Sequence, residues 1–311
     1  MKLKVTIGTV VLMLLTGLIF YSTRSNEDTQ VPVTTSDLNI DEKELKKEMV
    51  TSMGQIAANI ASPAEIAASI KNAGGTFSQD ILLNTDVAKY LTPKEKALAM
   101  GGIGADLVYI NLFEKRSATI APLNQIRKLS NELYLSQFFD FEILKNIATA
   151  SLSKEDIDSL VLLTTVRFNS MEQHMLTPER AETGIFMVIG AWAESLYLLT
   201  HYANKYQVPE IREKVAEQQL CLEELLKWLD KFQEIKEVNE VLEAMDPLKK
   251  HFCSVQIKYE NTGSPIKTVD INGKSTMYQP QKSIAIIDSR QVEGIASESE
   301  KFRNKIFRLI N

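Results

Sequence analysis

Two acids stand in the most apolar parts of this 311-residue chain. Asp106 lies inside Leu91–Arg116, LTPKEKALAMGGIGADLVYINLFEKR, and Glu194 inside Gly190-Ala-Trp-Ala-Glu-Ser-Leu-Tyr197. Such surroundings penalise an ionised carboxylate, so each belongs in a buried or cleft-facing position. If the two segments are helices that cross near their small residues, both acids border one cleft together with Tyr109 and Tyr197. Two facing carboxylates whose pKa values are pushed apart can do acid–base work. The structural alternative is that each acid satisfies a neighbouring helix start or pairs with a buried base such as Arg167. The candidate ligand-binding set is Asp106, Tyr109, Trp192, Glu194 and Tyr197, and no residue is assigned as catalytic. A small-ligand sensor would instead close an apolar pocket around Tyr109, Phe113, Trp192 and Tyr197.

Other chemistries find little support. The three histidines are His174, His201 and His251. A di-metal site in a helical bundle needs Glu-x-x-His pairs, which put both ligands on one helix face. Glu172-Gln-His174 has the wrong spacing, and His-Glu-x-x-His, Gly-x-Ser-x-Gly and Cys-x-x-Cys motifs are missing. No metal and no cofactor is expected. The glycines of Gly101-Gly-Ile-Gly104 follow a capped helix rather than a strand, which excludes a phosphate-binding loop. Cys221 and Cys253 form one disulfide if their helices run antiparallel outside the cytoplasm, or remain two buried thiols.

The elements that position these residues follow from local pattern. Thr92 suits an N-cap, Pro93 the first turn and Glu95 the capping box of the Leu91–Arg116 helix. Gly101, Gly102 and Gly104 each cost a helix interior about 1 kcal/mol, so their presence implies the close approach of another backbone. Leu176-Thr-Pro-Glu179 echoes Leu91-Thr-Pro-Lys94, and Gly190–Tyr197 echoes Gly102–Tyr109. The two readings are a duplication with a small insertion, or two buried helices that independently use small residues.

Along the chain, 1–24 reads as a membrane anchor or signal segment. Lys2 and Lys4 precede an uncharged stretch, Val5–Tyr21, long enough to span a bilayer and leaving through a poor cleavage site. Residues 25–40 form a polar tether. Helices are expected at Asp41–Ile60, Pro63–Ile70, Ala121–Leu135, Phe139–Ala150, Ser153–His174 and from Thr177-Pro178 through His201. Pro209–His251 reads as two antiparallel helices broken near Lys231–Lys236. Residues 41–253 thus form a helical domain. A small β ribbon follows over 254–288, signalled by alternating Val255, Ile257 and Tyr259 and by Asn272-Gly273. It needs the helices to lie on. A final helix occupies 289–311, with Lys301, Arg303, Lys305 and Arg308 favouring its C-terminal dipole. The fold class is all-α, a multi-helix bundle or an α/α repeat-like array, with the ribbon and a final helix. No period of about 34 residues marks tetratricopeptide repeats.

Ser62-Pro-Ala-Glu-Ile-Ala-Ala-Ser-Ile-Lys-Asn-Ala-Gly-Gly75, Lys96–Tyr109, Gly190–Tyr197 and the closing Phe302-Arg-Asn-Lys-Ile306 resemble an uncharacterised family of exported Bacteroidetes envelope proteins. The resemblance spans about Asp41–Asn311. It implies a helical fold and an extracytoplasmic compartment, and no activity. This chain departs from the lipoprotein members in lacking a lipobox cysteine, which favours a membrane helix. The net charge is −5 with no basic stripe, so nucleic acid is not an expected partner. The expectation is a tethered binding or scaffolding module of the cell envelope. The alternatives are a sensor or enzyme using Asp106 and Glu194 and, for location, a cleaved secreted or periplasmic form.

Overall fold

The computed structural model describes residues 63–139, 141, 171, 174–175, 177, 180–261, 267–271, 274–278 and 281–309. The expected anchor, tether and Asp41–Ile60 helix lie outside these residues. So do Arg167 and most of Phe139–Ala150 and Ser153–His174.

Among the described residues the body is a helical bundle. Its helices are α1 (Pro63–Asn72), α2 (Pro93–Leu112), α3 (Ile120–Glu132), α4 (Ala181–Tyr206), α5 (Pro209–Lys231), α6 (Lys236–Phe252) and α7 (Ser289–Ile306). α4 is the central element, packing against α1, α2, α5 and α7. α6 lies against both α5 and α7.

The start of α2 matches its sequence signals. The Thr92 hydroxyl accepts from Glu95 N at 3.2 Å, and Glu95 Oε2 accepts from Thr92 N at 3.1 Å, a complete capping box. The helix stops at Leu112, short of the expected Arg116, because Glu114 turns into the left-handed region at φ 59°. Every residue from Ala97 to Asn111 is buried, so α2 has no solvent face over that span. α4 departs from its echo of α2. It begins at Ala181, and the Thr177 hydroxyl donates back to the His174 carbonyl instead of capping it. The shared Leu-Thr-Pro start therefore does not perform a shared role.

The glycines explain how α2 and α4 meet. A Cβ at Gly101 would lie 1.9 Å from the Met187 carbonyl oxygen, and one at Gly190 would lie 2.0 Å from that of Leu98. Backbone touches backbone from both sides, as the mid-helix glycines imply. Gly102 serves a different neighbour, the Phe307 ring, which a Cβ would meet at 2.5 Å.

α5 and α6 are separated by a short turn after Lys231, where the charge pattern breaks. The proposed disulfide does not form: Cys221 is buried in α5 and Cys253 exposed at the end of α6. Across an antiparallel hairpin, Cys253 lies about seven residues beyond the position opposite Cys221, roughly 10 Å along the axis. A bridge needs Cα atoms within about 7 Å.

After α6, β1 (Gln256–Asn261) pairs antiparallel with β4 (Gln281–Ile286). β2 (Lys267–Ile271) pairs likewise with β3 (Lys274–Tyr278). α7 then opens on an Asp288–Gln291 capping box, and Gln291 Nε2 donates to the Ser254 carbonyl at 2.6 Å, tying α7 to the end of α6.

α4 is long and apolar enough to cross a membrane, yet 78% of its most apolar window is buried inside the protein. That marks it as a core helix here, since a lipid-facing span would offer its apolar side chains outward.

Candidate functional site

Asp106 on α2 and Glu194 on α4 do come together, and a third residue joins them. Arg303 of α7 donates from Nε to Glu194 Oε2 at 2.7 Å and from Nη2 to Glu194 Oε1 at 2.8 Å. Nη2 also donates to the Ile81 carbonyl at 3.1 Å. This is a bidentate fork on a carboxylate, the strongest geometry an ion pair adopts. All three side chains are buried: Glu194 is 0% exposed, Asp106 1% and Arg303 6%.

Asp106 completes the cluster. Its Oδ2 accepts from Leu83 N at 2.7 Å, while Oδ1 is buried without a hydrogen-bond partner among the described residues. The Asp106 carboxyl neighbours that of Glu194, and the Glu194 charge makes ionising both unfavourable. Burial, then the Glu194 charge, push Asp106 well above the usual carboxylate range, with the Leu83 N–H and Arg303 opposing. Burial also raises Glu194, against the pull of Arg303 and the Asp106 hydrogen bond. Arg303 commits both arms of its fork to Glu194, so the proton resides on Asp106. The cluster is then a neutral acid, a carboxylate and a guanidinium, with no net charge in the core. It joins α2, α4, α7 and the 81–83 connection in one hydrogen-bonded set.

The other members of the candidate set separate. Tyr109 pairs with Tyr202 (hydroxyl oxygens 2.6 Å apart) and accepts from Ser78 N at 2.9 Å, while Tyr202 donates to the Thr76 carbonyl. Phe77 stacks on Tyr109 and the Phe113 ring packs against it at a tilt. Trp192 is buried against α5, its indole N–H donating to Gln218 Oε1 at 3.1 Å. Tyr197 lies about 140° around α4 from Trp192, since each residue turns the helix by about 100°. The sequence reading joined Tyr109, Phe113, Trp192 and Tyr197 in one pocket; the helix geometry sends Trp192 and Tyr197 to different faces. Tyr197 instead covers Arg303, whose guanidinium carbon is 4.1 Å from the ring centroid.

Arg303 is the member that sequence reasoning missed. It reads as one of several bases at a helix C-terminus, but it falls on the apolar stripe of Val292, Ile295, Ser299, Phe302 and Ile306. A base on a buried stripe was the signal. Tyr90 reinforces the closure: its hydroxyl donates to the Phe307 carbonyl at 2.9 Å, and burial pushes its pKa up to about 12.

Among the described residues no group of three or more His, Cys, Asp and Glu side chains could hold a metal. Two open grooves lie among the described residues. One, about 620 Å³, runs between α4 and α7 beside Tyr197, His201 and Glu300. The other, about 250 Å³, lies beside the Lys94–Glu240 and Arg308–Glu95 ion pairs. No protein family, curated protein or solved structure matches the chain.

Proposed function

We propose that this chain is a non-catalytic binding or scaffolding module of the cell envelope. Its N-terminal segment tethers a helical body outside the cytoplasm, and its C-terminal strands lie on that body as a ribbon. The observation that carries the non-catalytic reading is the fate of the paired acids. Glu194 spends both oxygens on Arg303, Asp106 is buried and held by Leu83 N, and neither lines either of the two described grooves. Acid–base catalysis needs the reacting group within hydrogen-bond reach of substrate. The compartment rests on the Lys2/Lys4 flank of the Val5–Tyr21 apolar stretch and on the family resemblance.

Fractionation of cells expressing the full chain tests the compartment. The chain should sediment with membranes after a high-salt wash, and its body should be cut by protease added outside the cytoplasmic membrane. Recovery in the cytosolic fraction, protected from that protease, would overturn the tethered reading.

A further inference from the structure

The groove between α4 and α7 is joined to the buried cluster through one ring. Tyr197 lines the groove and is backed by the Arg303 guanidinium. Arg303 cannot swing away, because Glu194 and the Ile81 carbonyl hold it. The ring is therefore pre-set, which removes much of the ordering cost that an exposed side chain incurs when it binds.

Around Tyr197, α4 brings Thr200, His201, Asn204 and Lys205, and α7 brings Glu293, Ser297 and Glu300. Asn204, Glu293 and Ser297 make no side-chain hydrogen bond or ion pair among the described residues, so their polar atoms are available. Burial, then Lys205, lower the His201 pKa against the pull of Glu300, so its imidazole is neutral near pH 7 and offers one donor and one acceptor. The groove's about 620 Å³ lies within the range of small-ligand sites.

The lining selects among ligand classes. Glu293 and Glu300 outnumber the one cation, Lys205, and disfavour an anion. A cation would stack on a ring whose electrons already face Arg303. A lipid tail would find amide, hydroxyl and carboxylate groups along the walls. An uncharged polyhydroxylated ring meets complementary groups throughout: an aromatic surface for its C–H face, and carboxylate and amide oxygens for its hydroxyls. We propose that this groove is a saccharide-binding site, with Tyr197 as the platform and Asn204, Glu293 and Glu300 taking the hydroxyls. The inference rests on the reading of the chain as a binding module, and is independent of its compartment.

The test is ligand-observed NMR and calorimetry on the full chain in detergent, with glucose, galactose, mannose, N-acetylglucosamine and their disaccharides as probes. At least one should bind, Tyr197→Leu should weaken it at least tenfold, and Glu293→Gln and Asn204→Ala severalfold. The last two positions are exposed, so those variants report on the groove even if Tyr197→Leu disturbs packing. No binding by any probe, or equal binding by wild type, Glu293→Gln and Asn204→Ala, overturns the saccharide site. A membrane-tethered chain that binds none of these sugars keeps the envelope reading and loses only this one.

Discussion

At the scale of residues, the arrangement makes opposite predictions for the two acids. Asn at 106 can still accept from Leu83 N and can donate its own N–H to Glu194, replacing the acid's proton. Asp106→Asn should therefore change stability by less than about 1 kcal/mol below about pH 4, where the unfolded carboxyl is protonated too, and should be the more stable protein at neutral pH. Glu194→Gln strips Arg303 of its counter-charge and should cost about 3–5 kcal/mol. Urea denaturation of both variants decides it, and a larger loss for Asp106→Asn would place the proton elsewhere. The pH dependence follows from the same proton. Asp106 has a folded pKa raised above its unfolded value of about 3.9. Its contribution is complete below the unfolded value and is lost as pH rises through the folded one. Wild type should thus lose stability relative to Asp106→Asn as pH rises from about 4 towards the folded pKa, with a slope difference of up to about 1.4 kcal/mol per pH unit. Parallel curves would refute the neutral acid. The sequence made Asp106 and Glu194 legible because a charge stands out in an apolar stretch. Arg303 was masked by Lys301, Lys305 and Arg308, whose exposed charges share its local pattern.

At the scale of elements, the α2–α4 crossing is set by glycine. Replacing Gly101 or Gly190 with Ala gains about 1 kcal/mol of helix propensity. The new methyl would nonetheless sit 1.9 or 2.0 Å from a carbonyl oxygen of the other helix. Backbone cannot yield as a flexible side chain does, so overpacking of about 1–3 kcal/mol or more should dominate. Thermal melts should place both variants well below Gly74→Ala. Gly74 has open space around it and should cost only the strain of its φ of +83°, about 1 kcal/mol. A Gly101→Ala protein as stable as wild type would mean that the helices slide apart freely. The close approach was readable from three mid-helix glycines; which neighbour each one meets was not. Gly102 is adjacent to Gly101 but faces Phe307, a partner far along the chain. Helix ends were legible where a side chain caps them, as at Thr92, and misplaced where the backbone alone turns, as at Glu114.

At the scale of the molecule, α7 closes the core. It supplies Arg303 to the acids and Phe302 to Trp192, and Phe307, which caps its end, gives its ring to Gly102 and its carbonyl to Tyr90. Removing 289–311 should leave helical far-UV circular dichroism but abolish near-UV signal and admit the dye ANS, the signature of secondary structure without fixed packing. A sharp thermal transition in that truncated chain would show that the other helices suffice. The bundle class was legible from helix periodicity, but α7's packing against the central α4 was not, because its sequence is strongly charged. The position of Arg303 also bears on biogenesis. It follows Glu194 by 109 residues, so a chain growing from its N-terminus carries both acids long before their counter-ion exists. Until α7 has been synthesised, the interior cannot seal around them. If the chain is exported as proposed, a lock that closes only once α7 has emerged keeps it threadable up to that point.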